Sequence, residues 1–129
     1  MFKGSIGAAV AAAILASSVP LACAQAQTPT TKVLAIGTIV PGANLQRAQG
    51  ILPSEVRATV QLYLDGKVDQ WFSVQDRNGV AFIHNVGDVK AARALLEALP
   101  LGKAHLMTFE VIPLGPLNHL RQLLTAPAK

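Results

Sequence analysis

The apolar positions change their period several times along this chain, and each change marks an element. Residues 32–40, KVLAIGTIV, are apolar on both faces through Val33, Leu34, Ala35 and Ile36, which predicts a buried strand that Pro41-Gly42 ends. A polar stretch then reaches Leu52-Pro53-Ser54-Glu55, where proline and an acidic residue suit a first helical turn. Val56, Val60, Tyr63 and Leu64 recur at helical spacing, and Asp65-Gly66 closes that helix. Residues 67–76, KVDQWFSVQD, set Val68, Gln70, Phe72 and Val74 against Asp69, Trp71, Ser73 and Gln75, a strand by its alternation. Residues 79–86, GVAFIHNV, read as its partner, with Asn78-Gly79 between them as a two-residue hairpin signal. Gly87-Asp88 opens a helix that places Val89, Ala92, Leu95, Leu96 and Leu99 on one face. Pro100-Leu101-Gly102 ends it, and LMTFEVI (106–112) is the last strand, halted by Pro113. LNHLRQLL (117–124) predicts a short helix that packs back on the domain.

The resulting order is strand, helix, strand, strand, helix, strand, the split βαβ arrangement of an α+β, ferredoxin-like βαββαβ fold. It implies a four-stranded antiparallel sheet with two helices on one face. The first and last strands are apolar on both faces, so the face without helices needs a cover. About a hundred residues leave nothing to supply one, and a second copy laid sheet against sheet predicts a homodimer or higher homo-oligomer.

Composition changes the picture mainly at the N-terminus. Of 129 residues 51% are hydrophobic, a share raised by the run IGAAVAAAILASSVPLA that follows Lys3. A basic start, an apolar core and small residues at Ala22-Cys23-Ala24 and Ala24-Gln25-Ala26 form a bacterial secretory signal over 1–24, cut after Ala24 or Ala26. The run is short for a membrane span and Pro20 breaks it. The mature protein is thus expected in the periplasm or secreted. Residues 25–31 follow as a disordered leader, then the domain over 32–116 and a tail over 117–129. Cys23 is the one cysteine and invites a lipoprotein reading, but Pro20 stands where such a signal prefers a branched apolar residue. Cleavage after it leaves no thiol for disulfides, catalysis or metal binding. Removing Lys3 leaves ten basic residues against seven acidic, a net of +3, scattered singly rather than in the stripe a nucleic-acid binder shows.

The order of elements and the segment VGDVKAARALLEALPLGKAHLMTFEVIPLGPL (86–117) resemble the muconolactone isomerase family, within the dimeric α+β barrel superfamily. The likeness is clearest where a helix ends in Leu99-Pro100-Leu101, a strand carries Met107, Phe109, Glu110 and Val111, and a Leu-Pro-rich tail closes. It extends more loosely over residues 32–85. The resemblance implies a cofactor-free isomerase that shifts a double bond in a small unsaturated lactone by proton abstraction and return. These motif residues concern packing and turns, so they point to fold more than to chemistry.

Candidate chemistry follows from the hairpin. A two-residue turn at Asn78-Gly79 pairs Ser73 with His84 and Trp71 with Val86, which gathers Trp71, Ser73, Gln75, Phe82 and His84 on one face. Phe72, Val74, Ala81 and Ile83 fall on the other, which suits the helix layer. His84 is the candidate general acid–base, since histidine titrates near neutrality. Glu110, a carboxylate interrupting an apolar strand, is its candidate counterpart, about 10 Å away across two strand spacings. Trp71, Ser73, Tyr63 and Phe82 would shape the pocket, and His105, beside the Gly102 turn, would reach its mouth. The three histidines show no metal-ligand spacing, and there is no glycine-rich phosphate loop or G-x-S-x-G elbow, so no metal or cofactor is expected. The ligand expected is a small apolar or acidic organic molecule, which a catalyst would turn over and a non-catalytic module would merely bind. A purely structural dimer, with these polar residues at its interface, is the third reading.

Overall fold

The computed structural model describes residues 28–125. The expected signal segment, its cleavage sites and Cys23 lie outside the described residues. The chain forms β1 (Lys32–Ile39), α1 (Leu45–Leu64), β2 (Val68–Ser73), β3 (Gly79–His84), α2 (Val89–Glu97), the short α3 (Pro100–Lys103) and β4 (Met107–Leu114). A 3-10 turn (Asn118–Arg121) and α4 (Gln122–Thr125) follow. The sheet is antiparallel in the order β2-β3-β1-β4, which is the expected ferredoxin-like arrangement. Among the described residues no helix is long and apolar enough to cross a membrane.

The core lies between the sheet and the helices. Val33 and Ala35 of β1 and Phe82 of β3 point into it, and Phe82 and Ala35 meet Leu96 and Leu99 from the α2 side. The sheet faces are therefore the reverse of those expected. The helix layer takes the face of Phe82 and His84, while Phe72, Ala81 and Ile83 lie on the side without helices. Phe72 is 55% exposed there, and Ile112, on the opposite edge strand β4, faces the same open side. Alternation correctly sorted the residues into two sets, but two sets of comparable apolarity do not say which one the helices cover.

The hairpin register also differs. Residues 74–78 form a longer loop in which the Val74 N–H donates to the Gly79 carbonyl at 3.0 Å, and Trp71 pairs with Phe82 and Ser73 with Val80. Gly79 has no left-handed backbone. Its hydrogen side chain serves another purpose, because a Cβ there would stand 2.5 Å from the Gly37 carbonyl oxygen of β1. The glycine allows close approach of two strands, and its turn-like sequence context is coincidental.

Helix α1 begins eight residues earlier than its sequence predicts. Asn44 caps it, its side-chain oxygen accepting from the Arg47 N–H at 3.0 Å. Pro53 sits inside the helix rather than in its first turn. It has no N–H for the Gln49 carbonyl, a loss worth about 3 kcal/mol in an undisturbed helix. At the other end of the chain, the tail forms its short helical segment without packing back on the domain: Leu117, Leu120, Leu123 and Leu124 are all exposed.

Candidate functional site

Extending α1 back to Leu45 brings a residue to the interior that the shorter helix would have placed in its first turn. Ala48, Glu55 and Thr59 are seven and four residues apart, so they share the buried face of α1. Glu55 is only 6% exposed. Its Oε2 accepts a hydrogen bond of 2.8 Å from the Leu101 N–H. That donor is free because it lies in the first turn of α3, where no earlier carbonyl of the helix can reach it. Pro100 occupies the first position of the same turn, contributing a preset backbone angle and no N–H. The Pro100-Leu101-Gly102 turn thus has a local purpose. Gly102 lets α3 fold tightly against α2, where a Cβ would lie 2.5 Å from the Leu96 carbonyl oxygen, and this turn aims the Leu101 amide at Glu55.

The second carboxylate oxygen, Oε1, is buried without a hydrogen-bond partner. Burial pushes the Glu55 carboxyl above its usual range, against the smaller opposing effect of the Leu101 hydrogen bond. Thr59 lies one turn on and donates from Oγ1 to the Glu55 carbonyl at 2.9 Å, so its hydroxyl proton is committed to the helix.

Glu55 lines a cavity of about 470 Å³ between α1 and the sheet. Phe82, Val80, Trp71 and Met107 form its floor and far wall, and Leu52, Val56 and Val60 its roof. Gln49, Ser73 and Asn78 place the polar groups around it. Among the described residues lining the cavity, Glu55 is the one ionisable side chain. A carboxyl with a free oxygen, enclosed by apolar walls and a few polar contacts, can take a proton from a small molecule and give it back.

The expected site residues divide. Trp71, Ser73 and Phe82 line this cavity. Tyr63 stands outside it, edge-on to Trp71 with ring centroids 4.8 Å apart, and so braces the wall. His84 lies on the helix side of β3 but is not part of the lining. It is completely buried beside Phe82, with neither ring nitrogen hydrogen-bonded. Burial pushes its imidazole below the usual histidine range, against the smaller opposing effect of the Lys67 backbone. Glu110 pairs with Ile36 and is exposed on the open face of the sheet. His84 and Glu110 therefore lie on opposite faces and do not flank one substrate. His105 is exposed in the turn after α3, with φ of 56°, and contributes nothing to the lining. Glu55 was legible only through the true start of α1. Once Asn44 is read as a cap, the inward stripe Ala48, Leu52, Glu55, Thr59 shows a carboxylate among apolar positions.

Compared by sequence, the chain matches no family model and no curated protein. Compared by structure, it is similar to the 5-chloro-2-hydroxyhydroquinone dehydrochlorinase of Burkholderia phenoliruptrix in complex with 2,5-dihydroxybenzoquinone. The match has a TM-score of 0.55 at 17% identity and covers 68% of this chain and 97% of that chain. The chain shares the α+β, ferredoxin-like fold of that enzyme. At that identity the likeness is one of fold, and the chemistry has to be argued from the cavity.

Proposed function

We propose that this chain is an exported, muconolactone-isomerase-like catalyst of proton transfer on a small unsaturated lactone or ring-bearing organic acid, working without a cofactor. The observation that carries the reading is the buried Glu55 on the cavity's lining, one oxygen held by the Leu101 amide and the other without a partner. The carboxylate would take a proton from the carbon at the far end of the conjugated system, leaving a dienolate, and return it at the carbon next to the carbonyl. The double bond shifts, the proton count is unchanged, and Glu55 ends as it began. A carboxyl raised above its ordinary value by burial is a stronger base than an exposed one. The hydroxyl of Ser73 and the amides of Gln49 and Asn78 are the available donors for the enolate oxygen. The structural neighbour is named for loss of hydrogen chloride from a ring substrate, a reaction that also moves a proton, which is consistent with this class. In solution the open sheet face, with Phe72 and Ile112 uncovered, would close against a second copy.

The test is exchange. With muconolactone and simple butenolides in deuterated water, NMR should show deuterium entering the substrate, and Glu55→Gln should slow it by about 100-fold or more. Exchange unaffected by that substitution removes Glu55 from the chemistry. The solitary ionisable group also suits a second reading, a binding module that holds a small ligand without turning it over. Tight binding with no exchange by the parent protein would select it.

A further inference from the structure

The lining of the cavity sets the charge of what it can hold. Among the described residues Glu55 is its one ionisable side chain, and its other polar side chains are the neutral amides of Gln49 and Asn78 and the hydroxyls of Ser73 and Thr59. The cations nearest to it along the chain serve elsewhere. Arg77, next to Asn78, is exposed and donates two hydrogen bonds of 2.9 Å to the Asp76 carboxylate. Arg47 and Arg57 share α1 with Glu55, but both are exposed and neither lines the cavity. Lys32 starts β1, whose far end, Ile39, lines the cavity, and it is paired with Asp69 at 2.8 Å. Sites that take organic acids present an arginine fork or a lysine to the carboxylate. This one presents a carboxylate of its own, with Oε1 buried and unpartnered.

We propose that the substrate is an uncharged ring carbonyl compound, a butenolide or cyclic enone without an acid group, and that Glu55 is the residue that turns the corresponding acids away. This rests on the cavity being the reaction site and narrows the class of molecule it takes. A sphere of about 470 Å³ is roughly 10 Å across, so no charge on a bound ligand lies far from Glu55. Two unit negative charges about 6 Å apart, at an effective dielectric constant of about 20, weaken binding by roughly 100-fold. An acid evades that repulsion only by binding with Glu55 protonated, since a like charge disfavours the ionised form. Such a complex contains no base, so the acid is held without reacting. A neutral lactone meets neither obstacle. Trp71, Phe82 and Met107 offer apolar surface to its ring, and Gln49, Ser73 and Asn78 offer donors to its carbonyl.

Binding tests this without turnover. Trp71 is the one tryptophan in the sequence and lines the cavity, so its fluorescence reports occupancy. One probe is a saturated γ-butyrolactone bearing an acetic acid side chain, which has no double bond to move. The other is its carboxamide, nearly the same in shape and uncharged. At pH 7.5 the parent protein should bind the amide about 100-fold more tightly than the acid. Glu55→Gln should shrink that gap about tenfold by improving the acid, with the amide little changed. The apolar walls still penalise the anion, so the gap does not close completely. An acid bound by the parent as tightly as the amide overturns the proposal, whichever residue then supplies the positive charge. A gap that Glu55→Gln leaves intact removes Glu55 as the selecting residue, and no fluorescence response to either probe removes the substrate class. In deuterated water the carboxamide of muconolactone should also exchange faster than muconolactone itself. Exchange in neither, with the binding preference intact, would sink the catalytic reading alone. Glu55-dependent exchange that is fastest with muconolactone would sink the neutral substrate alone.

Discussion

Glu55 sits where a protein designed only for stability would not place a carboxylate. One oxygen has the Leu101 amide and the other has nothing, so the charged form is held in apolar surroundings with half its hydration unreplaced. Glu55→Gln keeps a carbonyl oxygen for the Leu101 N–H and removes the charge. Its melting temperature at pH 7.5 should therefore equal or exceed the parent's while proton exchange is lost, and a marked drop would mean that the carboxylate is structural. At this scale the sequence was partly readable. Trp71, Ser73 and Phe82 were recognisable as one face, because Trp71 pairs with Phe82 instead of the expected Val86, an even shift that keeps the faces. His84 and Glu110 drew attention by residue type alone, and their faces depended on which side the helices covered. Glu55 was hidden by its neighbours, since Pro-Ser-Glu reads as an opening turn.

Among the elements, α1 and the α2–α3 junction position the carboxylate, and each contains a glycine whose role can be separated from the other's. Gly50 lies in the middle of α1, and a Cβ there would meet nothing within 4 Å. Gly50→Ala should stabilise the protein by about 0.5–1 kcal/mol in urea titration, because the helix gains propensity without a clash. Gly102 is the opposite case. A Cβ would press on the Leu96 carbonyl oxygen at 2.5 Å and on the Glu97 backbone at 3.1 Å. Gly102→Ala should cost about 1–3 kcal/mol and shift the Leu101 amide off Glu55, lowering exchange as well. Stability unchanged in that variant would show that the junction yields without moving the site. The strand and helix types were legible from periodicity, and the order of elements carried the topology. The start of α1 was not, because Gly50 and Pro53 weaken a helical pattern that tertiary packing then sustains.

For the whole molecule, the two buried ionisable groups pull stability in opposite directions as pH changes. Glu55 is raised from its ordinary 4.5, so the folded state binds its proton more tightly than the unfolded chain does. Its contribution is fully present below pH 4.5 and is lost as pH rises through the folded value. His84 is lowered from its ordinary 6.5, so the unfolded chain binds its proton more tightly. Its contribution is fully present above pH 6.5 and is lost as pH falls through its folded value. Just above pH 4.5 the carboxylate therefore tilts stability downward with pH, and just below pH 6.5 the imidazole tilts it upward. Glu55→Gln should make the slope of unfolding free energy against pH more positive just above pH 4.5. His84→Leu, which removes two unpartnered buried nitrogens, should make it less positive just below pH 6.5 and leave exchange intact, since the imidazole does not line the cavity. Urea titrations of the three proteins at half-unit steps measure both slopes. A slope left unchanged in either variant would show that its group ionises as freely in the folded protein as in the unfolded chain. A loss of exchange in His84→Leu would instead return the imidazole to the chemistry, acting on Glu55 or on the substrate from beneath the cavity floor.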